Sequence, residues 1–308
     1  MKMLLVTIAS FLLSFSGCSK DPIITEATPP TTEKPIPPVK PVDPTEPVKP
    51  IEPTKPGDFT IPSDQKAYYT GVDFTKVGMA LKAELTKVTT DKHKRTLSYG
   101  QIWDAAKATD LTPDGNNVYL LYGHKGQTTG NTAFTRGKNN NGGGQGQWNR
   151  EHTYAKSLGT PNLGEAGPGA DAHHLRPADV KWNADRGNKP FAAGNGFSKP
   201  VGANWYPGDD WKGDVARMML YMYVRYGERC LPSNVAVGQK NSKDSNMIDL
   251  LLEWNAADPV DEIERKRNEY HGNSSNTYAQ GNRNPFIDNP YLATQIWGGT
   301  PAKNLWTK

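Results

Sequence analysis

Cysteine is nearly absent: Cys18 and Cys230 are the only two in 308 residues. With Cys18 in the leader, the body of the chain has no internal disulfide available, so its fold rests on packing or on metal. Cys230, beside Arg229 and Leu231 at an expected helix end, reads as a small buried apolar residue rather than a nucleophile. Long apolar runs are missing too. The one such stretch, from Met3 to Phe15, is shorter than the roughly 18–20 residues that span a bilayer. No segment repeats itself. The Gly- and Asn-rich loop 137–147, GKNNNGGGQGQ, lacks the GxxxxGK[ST] order of a phosphate-cradling loop, and no helix obviously follows it, which excludes that route to nucleotide binding.

What is present begins with an exported leader. Residues 1–18 carry Lys2, the apolar run and small residues before Cys18, the pattern of a secretory signal. Ser16-Gly17-Cys18 resembles a bacterial lipobox, in which the cysteine is lipidated and becomes the mature N-terminus; a plain cleaved signal is the alternative. Both readings imply export, to the cell envelope (outer membrane or cell surface) or into the medium. Residues 19–63 cycle through Pro, Thr, Val, Lys and Glu, a semi-rigid polyproline II spacer with no core. Residues 64–308 form the folded domain. Six of the 36 basic and eight of the 32 acidic residues precede position 65, leaving 30 against 24 and a formal +6 on the remainder, a balance that suits a polyanionic partner.

Apolar spacing predicts helices within 68–109, a buried strand over 116–123, and a second strand over 147–152 completing a long hairpin with it. A short helix follows, with Pro177 in its first turn and a stop at Gly187. Residues 211–226 are apolar on most faces and predict a central buried helix. Two more helices follow, the second capped by Asp258 with Pro259 in its first turn. Residues 281–290, GNRNPFIDNP, are expected as an irregular docking segment.

Hydrolysis of a phosphodiester needs a deprotonated nucleophile, charge neutralisation on the phosphoryl oxygens and help for the departing alkoxide. A hard divalent cation can supply the last two, and a neutral histidine, with an ordinary pKa of about 6.5, can supply the first. In the stretch WNREHTYAKSLG, Glu151 offers an oxygen ligand while the adjacent His152 points to the other side of an extended chain. Downstream, Asp171, His173, His174, Asp179, Asn183, Asp185, Arg186 and Asn188 crowd one stretch. There Asn183 can complete an oxygen site opposite Glu151, which suits Mg²⁺ or Mn²⁺ better than zinc. His173 and His174 are expected to tie the hairpin and helix together, with Asp171 and Asn188 supporting; a zinc site of His152, His173 and His174 is the alternative. Arg150 and Arg186 stand where a phosphate can be gripped, or else pair with Asp171, Asp179 or Asp185.

With these residues in place, the sequence resembles the bacterial endonuclease I family of exported, non-specific nucleases, within the His-Me finger (ββα-metal) group. The matching stretches are WNREHTYAKSLG, DAHHLRPADVKWNADRGNKPF, WKGDVARMMLYMYVRY, LLLEWNAADPVDEIERKRNEY and QGNRNPFIDNP, in the family's order over most of 68–298. The resemblance implies an α+β fold, a β-hairpin and short helix embedded in a mainly helical domain. It implies His152 as general base and Glu151 with Asn183 holding one Mg²⁺, for which Mn²⁺ or Ca²⁺ can substitute. It also implies DNA and in part RNA as substrates, and 5′-phosphate and 3′-hydroxyl products. Some relatives place an arginine for the cleaved phosphate between the two motifs, but 157–172 contains neither Arg nor Lys. A monomer with no protein partner is expected, tied to the membrane through Cys18. The rival reading is a surface lipoprotein that binds nucleic acid or glycans without turnover, using Trp205, Tyr206 and Trp211.

Overall fold

A computed structural model describes residues 59–307. The signal, Cys18 and nearly all of the proline-rich spacer lie outside the described residues. The chain opens with α1 (Ser63–Lys66), α2 (Gly78–Asp91) and α3 (Ile102–Thr109). Three separate two-stranded antiparallel sheets follow: β1 (Asn117–Tyr119) with β2 (Thr135–Gly137), β3 (Trp148–His152) with β4 (Leu175–Asp179), and β5 (Lys199–Val201) with β6 (Asn204–Tyr206). The helix α4 (Val180–Arg186) leaves β4 directly. The rest is helical: α5 (Lys212–Tyr226), α6 (Pro232–Val235), α7 (Asp249–Ala257), α8 (Glu262–Gly272), α9 (Pro285–Asp288) and α10 (Tyr291–Trp297). The architecture is α+β. No helix among the described residues is long and apolar enough to cross a membrane.

The helix α5 is apolar nearly all round because it is buried on nearly all sides. Val215, Met219 and Met222 pack with Trp205, Trp211 and Trp254 on one side. Leu220 and Val224 pack with Leu81, Leu85, Phe286 and Trp297 on another. Each such side chain contributes about 1.5–3 kcal/mol on burial. Cys230 is fully buried in the first of these clusters, and burial pushes its thiol up to about 12, as an inert apolar filler requires.

Several sequence expectations are corrected. The strand expected over 116–123 stops at Tyr119 and pairs with 135–137, so 147–152 is not its hairpin partner. Instead β3 pairs with β4, in the register Glu151 opposite Arg176 and His152 opposite Leu175. Pro177 lies in β4, not in the helix. Its missing donor is tolerated there because the strand has one ladder partner, while its carbonyl accepts from Leu121 N at 2.8 Å. The cap of α4 is Asp179, whose Oδ1 accepts from Trp182 N at 2.9 Å, and Gly187 ends the helix at φ 56° as expected. Asp258 does not cap α8. Its carboxylate accepts from Gly213 N at 2.8 Å near the start of α5, and Asp261 forms the capping box with Glu264. The tail is partly regular, with Asn284 capping α9 through Phe286 N.

Under β4 lies a network of buried charges. Arg176 donates to Asp110 at 2.7 Å and to Asp214 at 3.0 Å, Arg267 also pairs with Asp110, and Arg217 grips both oxygens of Glu264 at 2.6 Å. All of these side chains are buried and mutually paired, which is the condition for tolerating charge in a core.

Candidate active site

Because β3 is extended, its side chains alternate between two sides. Asn149 and Glu151 face α4: Asn183 Nδ2 donates to Asn149 Oδ1 at 2.7 Å, and Arg186 Nη1 donates to Glu151 Oε1 at 3.0 Å. Arg150 and His152 face the chain before α3. The Arg150 guanidinium lies 3.6 Å over the Tyr99 ring and 4.2 Å over Trp103, and His152 stacks on Tyr99 at 5.2 Å. The two sides meet at a cleft of about 300 Å³ whose walls include Arg150, Glu151, His152, Lys156, Asn183 and Asn188.

Glu151 is almost fully buried, and burial outweighs its partners to push the carboxyl up to about 7. Those partners are Arg186 and the Tyr122 hydroxyl, which donates at 2.9 Å. Both bonds land on Oε1, and Oε2 takes neither. Asn183 spends its NH₂ on Asn149, which leaves its carbonyl oxygen uncommitted to that bond. Two hard oxygen donors on one cleft, one of them a carboxylate with an oxygen that neither donor takes, fit a divalent cation such as Mg²⁺.

His152 Nε2 lies 2.8 Å from the carbonyl of Gly169. A carbonyl only accepts, so Nε2 carries the proton and Nδ1 is the basic atom. Burial, and then the nearby His174, lower this imidazole to about 3, well below its ordinary value, so the ring is neutral at neutral pH. The turn that supplies the carbonyl is tightly built. A Cβ at Gly169 would come within 2.1 Å of the Gly164 carbonyl oxygen, so only glycine fits.

His174 Nε2 donates to Pro168 O at 2.8 Å, in the same turn. His173 Nε2 donates to Asn282 O at 3.1 Å and packs on Tyr221. The rings of His152 and His174 stand 5.7 Å apart with both Nε2 atoms committed, so the three histidines do not converge as a zinc site would require. Asp171 accepts from Tyr221 and Tyr226 hydroxyls and from Gln280, a buried tie between segments. Burial alone would raise its carboxyl, but the surrounding imidazoles of His173, His93 and His174 and the backbone N–H of His173 hold it below the ordinary range. Asn188 reaches Ser157 Oγ at 3.3 Å.

Arg186 is not where a phosphate could meet it. It is fully buried, and besides Glu151 it donates to the carbonyls of His152 and Thr153 at 3.0 and 2.8 Å. Nor does it pair with Asp171, Asp179 or Asp185. Asp179 pairs with Arg136 instead. Arg150 and Lys156 are the cations left lining the cleft. Tyr122 was not singled out in the sequence; it sits at φ 69°, a left-handed conformation rare for an aromatic, and no residue pattern announces that turn. Trp205, Tyr206 and Trp211 are core, not a binding face. Among the described residues, one acidic grouping has metal-like spacing, Asp214, Asp261 and Glu264, but Asp214 and Glu264 are already paired with Arg176 and Arg217.

The family model for Endonuclease I matches residues 77–291. The chain is also 44% identical over 250 residues to an extracellular ribonuclease of Bacillus amyloliquefaciens, covering 77% of this chain and 80% of that protein. It is likewise 44% identical over 246 residues to an extracellular ribonuclease of Bacillus subtilis (strain 168), covering 76% and 80%.

Proposed function

The chain belongs to the endonuclease I family, and from that premise we propose that it is an exported, metal-dependent endonuclease acting on DNA and RNA without strong sequence preference. In this reading it is a monomer, tethered to the cell envelope by a lipid on Cys18 and held off the membrane by the 19–63 spacer. RNA enters because both relatives are named ribonucleases. The observation that carries the reading is the pairing of Glu151, fixed by two donors on Oε1, with a neighbouring His152 whose tautomer is set by Gly169 O.

His152 takes the proton of the attacking water on Nδ1, while its Nε2–H stays on the Gly169 carbonyl and holds the ring in line. Tyr99 stacks on the same ring and limits its rotation. Glu151 and Asn183 would hold Mg²⁺, with Mn²⁺ or Ca²⁺ able to replace it. When bound there, the ion would supply charge neutralisation for the phosphoryl oxygens and the leaving alkoxide, in a hydrolysis that leaves 5′-phosphate and 3′-hydroxyl ends. Arg150 and Lys156 face the cleft, where they attract and orient the substrate backbone.

Incubation of the purified protein with plasmid DNA and with RNA, with and without chelator, tests this directly. Cleavage that survives chelation would remove the metal. His152→Ala should lower the rate by roughly 10²- to 10⁴-fold, and a variant as fast as the parent would remove the base.

A further inference from the structure

Phe197 is the exposed aromatic of the described residues: 51% of its surface is open, while the other aromatic side chains are buried or half-buried. Its ring is not loose. One face lies flat on the His124 imidazole, with centroids 4.4 Å apart and planes 9° from parallel. The loop beneath is pinned on both sides of it. Gly196 N donates to Asp209 Oδ2 at 2.6 Å and Asp209 N returns a bond to Gly196 O at 2.8 Å. A Cβ at Gly194 would meet the Tyr206 ring at 2.5 Å, so glycine lets this loop lie against the core.

On the other side, the buried Ser198 hydroxyl joins three elements. It donates to Tyr122 O at 2.6 Å, which uses its single proton. It therefore accepts from both Trp182 Nε1 at 2.9 Å and His124 Nε2 at 3.0 Å. The His124 tautomer and ring plane are fixed by that demand. Burial lowers this imidazole, so it is a neutral flat surface. An aromatic pair locked in place, with one face of Phe197 left in water, gains nothing further for the fold from that open face.

Resting on the nuclease reading above, we propose that Phe197, backed by His124, is a stacking subsite for an unpaired nucleobase of the substrate strand. Its position connects it to the cleft twice over. Trp182 precedes Asn183 on α4 and its ring lies 6.0 Å from that of His124. Tyr122, whose carbonyl holds Ser198, donates its hydroxyl to Glu151. Lys125 follows His124 in the chain and Lys199 lies two residues past Phe197; both are exposed, the Lys199 ammonium 3.4 Å from Asn195 Oδ1, and cations so near the pair in sequence suit a phosphate backbone. The acidic neighbour Asp209 is engaged by Tyr206, Lys212 and Gly196. A base inside a duplex has no free face to offer, so the subsite selects single-stranded over double-stranded substrate.

The test compares the parent, Phe197→Ala and Phe197→Trp on a single-stranded oligoribonucleotide and on duplex plasmid. Stacking contributions of this kind correspond to roughly fivefold to a hundredfold in binding. Phe197→Ala should raise KM for the single strand by that factor, with a smaller loss on duplex, and Phe197→Trp should restore it. An unchanged KM for Phe197→Ala, from a parent that cleaves, would overturn the subsite and leave the nuclease reading standing. The Phe197→Trp protein in chelator should also show quenching of its fluorescence, relative to the parent, when the oligonucleotide is added. If the parent cleaves nothing but this quench occurs, the nuclease reading falls and the subsite stands. If an oligosaccharide quenches and the oligonucleotide does not, a nucleobase is the wrong occupant.

Discussion

Replacing Tyr122 by Phe removes one atom from the support of Glu151 and almost nothing else. The ring is fully buried and stays so, the backbone bond from Ser198 to the Tyr122 carbonyl is untouched, and the cost of φ 69° is common to both proteins. What disappears is a 2.9 Å hydrogen bond to a carboxylate that is almost fully buried at the wall of the cleft. Bonds to charged groups contribute about 1.5–3 kcal/mol, and the relief of no longer burying a hydroxyl reduces the net loss to roughly 1–2 kcal/mol. That loss should be largest above pH 7, where the carboxylate is charged, and should shrink as Glu151 protonates below it, because its carboxyl already sits up at about 7. Arg186 would remain on Oε1 as the only donor, so the carboxylate would move further upward and compete less well for a cation. Loss of a partner behind a metal ligand typically weakens metal binding about 10- to 100-fold. Titration calorimetry with Mn²⁺ or Mg²⁺ on both proteins reads this without any turnover, and urea denaturation supplies the stability difference. Equal cation affinities in the two proteins would refute the argument that Tyr122 orients Glu151 for a metal.

Gly169→Ala places a methyl against the carbonyl of Gly164, backbone against which no side chain can yield. The turn must shift, and with it the oxygen that holds His152; kcat should fall at least tenfold, on the order of 10²-fold for a displacement of about 1 Å, with far-UV circular dichroism unchanged. Full activity in this variant would show that the carbonyl does not set the ring. Stability should also depend on pH through the histidines. Burial lowers His173 and His174 to about 4, and it also holds His271 well below the ordinary imidazole value. The unfolded chain, with pKa values of about 6.5, therefore binds more protons between these limits. Stability is fully present above about pH 6.5 and is lost as pH falls toward 4, by as much as roughly 2–3 kcal/mol per ring. Urea midpoints measured from pH 7.5 to 4.5 check this, and a flat profile would contradict it.

The candidate site residues are more legible in the sequence than the scaffold around them. Glu151 beside His152 is a weak signal by itself, and it is the downstream polar stretch with Asn183, together with the family resemblance, that makes the three a candidate site; the structure places all three on one cleft. The central helix α5 was equally plain, since apolar residues on every face leave no other place for it. The hairpin was misread because 116–123 has the composition of a buried strand, and composition does not name a partner. The choice of β4 as that partner depends on Pro177, which local rules favour at a helix start and which only the tertiary setting tolerates in a strand. Arg186 was misread for a related reason. Three residues after Asn183 on a helix lies close to the same side, and the sequence does not say whether that side is open or filled; Glu151 and two carbonyls fill it. The same applies to Asp258, which has the identity of a cap and serves Gly213 instead. His152 illustrates a third kind of gap. An ordinary histidine would put the acid limb of activity near pH 6–7, but its depression by burial appears only once the neighbouring turn and His174 are packed around it.

The two salt bridges of Arg176 have a further effect, on alignment rather than on strength. In an antiparallel pair a slip by one residue sends every side chain to the opposite face. A slip of β4 along β3 would carry Arg176 away from Asp110 and Asp214, leaving Asp110 to Arg267 alone and Asp214 with only Arg217 at 4.0 Å, and breaking such a buried pair costs about 3–5 kcal/mol. The misaligned pairing would also draw α4 along, since that helix leaves β4 with no intervening residue, and Asn183 would lose its bond to Asn149 and its place on the cleft it shares with Glu151. Charges buried away from the cleft thus proofread the alignment on which the candidate site depends.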